Sequence, residues 1–211
     1  VMTWEQENFP AILNVWFGGC ESGDAICDVL FGDKVPSGKL TATMPKSVGQ
    51  IPLYYNHLNT GRPLKEGKWF TKFTSNYLDI DNDPLYPFGY GLSYTTFKYG
   101  KPTLSSNTMT NNETISVSVD ITNTGNYDAD EIAQMYIRDL AASVSRPVKE
   151  LKGFERISIK KGETKTVTFT ITPEDLKFYN QELEYKNEPG EFEVMVGPNS
   201  KDVQTLTFTL K

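Results

Sequence analysis

The sequence predicts an α/β segment followed by an all-β sandwich. Three observations carry that prediction. Residues 11–32 read as a strand, a glycine turn and a helix. Residues 33–95 have almost no periodicity. From Phe97 onward, apolar and polar residues alternate with period two.

The first segment opens with Ala11-Ile12-Leu13-Asn14-Val15-Trp16-Phe17, a short, largely apolar run. It has the composition of a strand buried on both faces of a parallel sheet. Gly18 and Gly19 break it. Ser22 to Phe31 then reads as a helix, with Ile26, Val29 and Leu30 on one face and Gly32 placed to end it. One βα unit is not a domain, because a parallel sheet needs neighbouring strands and helices on its faces. The Gly-, Pro-, Asn- and Tyr-rich stretch 33–95 is also too long for a free loop. Both features predict segments lying over a larger body, in a chain that begins in mid-protein.

In the second segment, Ile115, Val117, Val119 and Ile121 alternate with polar residues. So do Ala133, Met135 and Ile137; Val167, Phe169 and Ile171; Phe192, Val194 and Val196; and Leu206, Phe208 and Leu210. One buried and one wet face per strand means antiparallel sheets. Turn chemistry separates the strands at residues 123–126, 160–163 and 187–190. Thr172 and Pro173 read as N-cap and first residue of a short helical turn. About seven strands in this span predict an immunoglobulin-like or fibronectin type III-like sandwich. The Cys…Trp…Cys framework of a true immunoglobulin domain is missing.

A net charge of −6 argues against nucleic acid and anionic membrane as partners. No apolar stretch approaches the ~20 residues needed to span a bilayer, and no leader pattern opens the chain. Cys20 and Cys27 read as free, packed thiols: two helical turns would hold them about 10 Å apart, too far for a disulfide. With one histidine, His57, the sequence predicts neither a metal site nor a cofactor.

Local motifs carry little chemistry. Gly18 to Asp24 follows a strand and opens a helix but matches no phosphate loop, so it reads as a tight turn. Asp79, Asp81 and Asp83 have calcium-loop spacing, but Pro84 and Tyr90 stand where glycine and glutamate are required; the segment reads as an Asp-ordered turn. Tyr86, Phe88, Tyr90, Tyr94 and Phe97 read as packing between the two units. His57 has no partner motif and reads as a structural hydrogen-bonding residue, and no G-x-S-x-G elbow supports a triad. Asn112-Glu113-Thr114 is a glycosylation sequon, meaningful only in a eukaryotic secretory pathway.

Longer strings are more specific. They are Ala25 to Asp33, Pro36 to Leu40, Ser47 to Pro52, Tyr54 to Pro63, Leu85 to Phe97 (with Pro87-Phe88-Gly89-Tyr90-Gly91 at its centre) and Ser145 to Phe154. Together they resemble the C-terminal portion of family-3 glycoside hydrolases, of the periplasmic β-glucosidase branch. The resemblance covers essentially the whole chain. Cys20 and Cys27 depart from the family's usual residues there.

The resemblance implies that residues 1–95 are the tail of an α/β sandwich domain and residues 96–211 a fibronectin type III-like domain. It implies a periplasmic or secreted protein. It also implies a retaining mechanism through two carboxylates. The nucleophile Asp and acid/base Glu would lie upstream of Val1, so no catalytic residue is assigned here. His57, Arg62, Lys68 and Trp69, in the most polar-aromatic part of the chain, are the candidates for lying near substrate. Three roles compete: an inactive β-glucosidase fragment that completes and braces the α/β domain; a polysaccharide-binding module using Tyr90 and Trp69; and a homodimerisation domain.

Overall fold

The computed structural model describes residues 1–65 and 68–211, and its strands lie between Phe97 and Leu210. In chain order they are β1 (Phe97–Tyr99), β2 (Thr103–Leu104), β3 (Thr108–Met109), β4 (Ile115–Asn123), β5 (Ala129–Asp139), β6 (Glu150–Ile159), β7 (Thr164–Ile171), β8 (Phe178–Tyr179), β9 (Tyr185–Lys186), β10 (Gly190–Gly197) and β11 (Gln204–Leu210).

β4 and β7 pair antiparallel, with Val117 opposite Phe169 and Val119 opposite Val167. The period-two pattern turns these pairs inward. The alternate pairs face solvent as a hydroxyl ladder, Ser118 with Thr168 at 2.8 Å and Thr122 with Thr164 at 2.8 Å. β1 and β2 complete this sheet on the other edge of β4. The second sheet runs β3-β11-β10-β5-β6. Its inner face contributes Ala133, Met135, Ile137, Val194, Val196 and the stacked pair Phe192–Phe208, with ring centroids 5.4 Å apart. The core closes between the two sheets, as the alternation predicts. Each fully buried Val, Ile or Phe there contributes about 1.5–3 kcal/mol. Thr172 caps its helical turn as expected: its N–H and hydroxyl both donate to the Asp175 carboxylate, at 2.8 and 2.7 Å.

Two strands depart from the one-wet-face expectation. Gln134, Tyr136 and Met195 point away from the core yet are buried. Residues from the first half of the chain lie over Gln134 and Tyr136. Tyr55 packs edge-on against Tyr136 at 5.9 Å and stacks on Phe88 at 4.2 Å. The five-stranded sheet is thus buried on both sides where this cover lies.

Among its described residues the first half contains two α-helices, α1 (Thr3–Asn8) and α2 (Ser22–Phe31), and a single 3-10 turn at Val48–Gln50. α2 has the predicted bounds. Gly32 ends it at φ 86°, a left-handed conformation suited to glycine. The Val29 carbonyl in its last turn accepts from the Tyr94 hydroxyl at 2.7 Å.

The strand predicted over Ala11–Phe17 is not formed: these residues are irregular and all exposed. No strand among the described residues lies beside them, and an extended apolar run without a neighbour has nothing to pair with. Cys20 and Cys27 are free as expected, but both are exposed rather than packed. Among the described residues, no helix is long and apolar enough to cross a membrane.

Candidate functional site

Buried polar contacts join the two halves at a junction that the longer sequence motifs supply. Residues 38–44 run alongside residues 85–91. The Leu40 N–H donates to the Tyr90 carbonyl at 2.8 Å, Gly89 N–H to Leu40 at 2.8 Å, and Leu85 N–H to Met44 at 2.8 Å. This pairing aims Lys39 into the open end of the sandwich. Its ammonium lies 3.1 Å from Glu131 Oε1 and 3.3 Å from the Gly91 carbonyl. Glu131 occupies an inward position of β5, two residues before Ala133, and its side chain is 4% exposed against 11% for Lys39. Tyr99 donates its hydroxyl to Glu131 Oε1 at 3.0 Å. Burial, then the Glu131 charge and this hydrogen bond, push the Tyr99 phenol far above its ordinary value, so it stays a donor at any working pH.

A second polar knot surrounds Gln50, a buried residue. Its amide donates to the carbonyls of Asp81 and Asp83 at 3.0 and 3.1 Å and accepts from the Lys46 N–H at 2.7 Å. Lys46 also pairs with Asp81, and Lys201 of the sandwich with Asp83, at 2.7 and 2.8 Å. The Asp83 N–H donates to Asp81 Oδ1 at 3.0 Å, the Asp-ordered turn expected of this segment. The aromatic cluster stacks within the first half, Phe88 on Tyr55 and Tyr86 on Tyr90, and it is Tyr55, outside the predicted set, that makes the aromatic contact across to Tyr136 of the sandwich. In the Ser145 to Phe154 string, the Val148 N–H donates to the His57 carbonyl at 2.9 Å and the Leu151 N–H donates to the Tyr55 hydroxyl at 3.2 Å.

The four residues nominated from sequence lie on surface segments and all have exposed side chains. His57 Nδ1 lies 2.9 Å from the carbonyl of the adjacent Leu58, on the exposed surface. The Arg62 carbonyl accepts from Ser75 N–H at 2.8 Å, and the Lys68 N–H donates to the Lys65 carbonyl at 3.1 Å. The Trp69 ring is tilted against Phe70 at 6.3 Å. Among the described residues, no hydrogen bond, ion pair or ring contact joins these four side chains to one another. Among the described residues, no cluster of three His, Cys, Asp or Glu side chains has metal-binding geometry. Sequence reasoning missed Lys39, Glu131 and Gln134. The available signal was a charged residue, Glu131, in phase with the inward series Ala133, Met135 and Ile137.

Comparison with known proteins accounts for this arrangement. Residues 1–94 match the glycosyl hydrolase family 3 C-terminal domain, and residues 131–200 match a fibronectin type III-like domain. The chain is 55% identical to a periplasmic beta-glucosidase of Salmonella typhimurium, over 98% of its own length and 27% of the relative's. It is 48% identical to a beta-xylosidase of Formosa agariphila, over 97% of its length and 28% of the relative's. A crystal structure of beta-glucosidase from Listeria innocua in complex with gluconolactone superposes with a TM-score of 0.93 at 44% identity, covering 99% of this chain and 29% of that one. The chain thus spans under a third of the relatives it matches. It belongs to glycoside hydrolase family 3, as that family's C-terminal portion: the tail of the α/β sandwich domain followed by the fibronectin type III-like domain.

Proposed function

We propose that this chain completes the α/β domain of a retaining β-glucosidase and fixes it to the sandwich, with residues 1–95 belonging to the first and 96–211 to the second. The observation that carries this reading is the pairing of two unlike surfaces. One is the buried junction around Lys39, Glu131, Gln134 and Phe88. The other is a set of uncovered apolar side chains before residue 32. Phe17 is fully exposed, Phe31 is 82% exposed, and Trp4 and Trp16 are more than half exposed. So many large apolar side chains left uncovered in one short segment point to an interaction surface. The partner is the rest of the parent enzyme, barrel included. The two carboxylates of double displacement, about 5–5.5 Å apart in retaining enzymes, belong to that part. Substrate is a β-glucoside or oligosaccharide bound through the parent, with His57, Arg62, Lys68 and Trp69 beside it. The relative named as periplasmic supports a periplasmic or secreted location.

The test uses the chain alone and as a replacement for the matching portion of the Salmonella typhimurium relative. Alone it is expected to leave an aryl β-glucoside unhydrolysed, and the chimera is expected to turn it over. Turnover by the chain alone, or an inactive but folded chimera, counts against the proposal. In the active chimera, replacing Arg62 or Trp69 by Ala is expected to raise KM. Unchanged kinetics remove those residues from the substrate side. A homodimer through the sandwich, favoured by the exposed Phe154 and Tyr179, is read out by sedimentation of the chimera with and without residues 96–211.

A further inference from the structure

The segment 54–63 carries His57 and Arg62, and of its residues Tyr55 alone is not exposed. The Tyr55 hydroxyl accepts from the Leu151 N–H of β6 at 3.2 Å. Its ring lies edge-on to Tyr136 of β5 at 5.9 Å and stacks on Phe88 at 4.2 Å. Phe88 is itself tied to the sandwich, because its carbonyl accepts from the Ser200 N–H at 2.9 Å. Further along, the His57 carbonyl accepts from the Val148 N–H at 2.9 Å, and Leu58 bridges to Pro147. Among the described residues, the hydrogen bonds that join residues 54–61 to other segments both end on the sandwich. A bond back to the first half comes only at Arg62, whose carbonyl accepts from the Ser75 N–H at 2.8 Å.

A loop whose side chains are nearly all in solvent has few contacts to define its path, so each of them fixes much of it. Loops that carry binding groups depend on a rigid scaffold to hold them. Here the scaffold is the outer face of the five-stranded sheet, at β5 and the start of β6, although the loop belongs to the other half of the chain. We infer that Tyr55 is a positioning residue, which carries the placement of the sandwich to His57 and Arg62 and so sets how tightly substrate is held. The inference rests on the reading that those two side chains lie beside substrate. Tyr55 acts through the loop and not on substrate, since its ring is taken up by Phe88 and Tyr136 and its hydroxyl by Leu151. The sandwich thereby reaches the substrate side of the parent through one side chain and one backbone bond, that of Val148 to His57.

The test is made in the active chimera on an aryl β-glucoside. Tyr55→Phe keeps both ring contacts and removes only the hydroxyl. It is expected to raise KM about two- to tenfold, the span of one net hydrogen bond, with kcat unchanged. Tyr54→Phe, the same deletion on the exposed neighbouring ring, is expected to change neither constant. The double variant His57→Ala with Arg62→Ala is expected to raise KM by itself, and adding Tyr55→Phe to it is expected to have no further effect. A hydroxyl that served stability alone would lower the melting temperature and leave KM as it was. A hydroxyl that touched substrate would add its full effect to the double variant. Either result overturns the inference and leaves the reading of the parent intact. An unchanged KM in the double variant, or an inactive but folded chimera, overturns that reading and the inference with it.

Discussion

Replacing Lys39 by Met is expected to destabilise the folded chain by about 3–5 kcal/mol, the cost of leaving one partner of a buried ion pair uncompensated. Methionine keeps the length and apolar stem of lysine, so little packing is lost. What disappears is the ammonium 3.1 Å from a carboxylate that is 4% exposed. Tyr99 still donates to that carboxylate, but one neutral donor does not replace a charge. The double variant Lys39→Met with Glu131→Gln removes both charges and is expected to recover most of the loss, since replacing a buried pair together is often near neutral. Urea denaturation of the four corners of this cycle gives the coupling directly. A loss below about 1 kcal/mol in the single variant would mean that water reaches Glu131 and that the pair behaves as a surface contact. Because Lys39 and Glu131 come from the two halves of the chain, the cycle also measures how tightly those halves are joined.

The sandwich was legible because five of its long strands, β4, β5, β7, β10 and β11, each carry their own signal, whereas β6 shows no clean alternation. Val117, Val119 and Ile121 alternate with polar residues whatever lies beyond the strand, and the structure buries all three. Tyr136 and Gln134 were not legible as buried, because their cover comes from Tyr55, Phe88 and Gly89, far away in sequence. Period two distinguishes two faces but says nothing about a second body resting on the outer one. The apolar run Ala11–Phe17 failed for the opposite reason. Its composition suits a doubly covered strand, but a strand exists only by pairing, and no described residue pairs with it. The helix Ser22–Phe31 was legible because helical hydrogen bonds close within the segment and its glycine stop is local. Glu131 could have been found: a carboxylate in phase with Ala133 and Met135 demands a buried partner, although nothing in the sequence marks Lys39 as that partner. His57, Arg62, Lys68 and Trp69 were chosen for chemistry and loop position. Their distance from a substrate depends on groups outside this chain.

Gly89→Ala is expected to cost at least as much as Lys39→Met, about 3–5 kcal/mol, and for a separable reason. Gly89 has φ 79°, where an alanine costs about 1–2 kcal/mol through its Cβ. A Cβ there would also collide with the Gln134 amide oxygen. Gln134 cannot move aside cheaply. Its amide donates to the Gly89 and Pro198 carbonyls at 3.1 and 2.7 Å, and its oxygen accepts from the buried Tyr136 hydroxyl. Displacing it breaks three hydrogen bonds in a dry site, each worth about 0.5–1.5 kcal/mol net and more when a partner is left unpaired. Gly162 supplies the control: it has φ 76° but no atom within 4 Å of an added Cβ. Gly162→Ala is expected to show the backbone cost alone. The difference between the two variants in urea unfolding therefore isolates the contact between Gly89 and the sheet from the strain of the turn. Equal losses would mean that Gln134 yields freely and that residues 87–91 only lean on the sandwich. A much larger loss at Gly89 would identify this turn as the point through which the first half of the chain is held in register with β5.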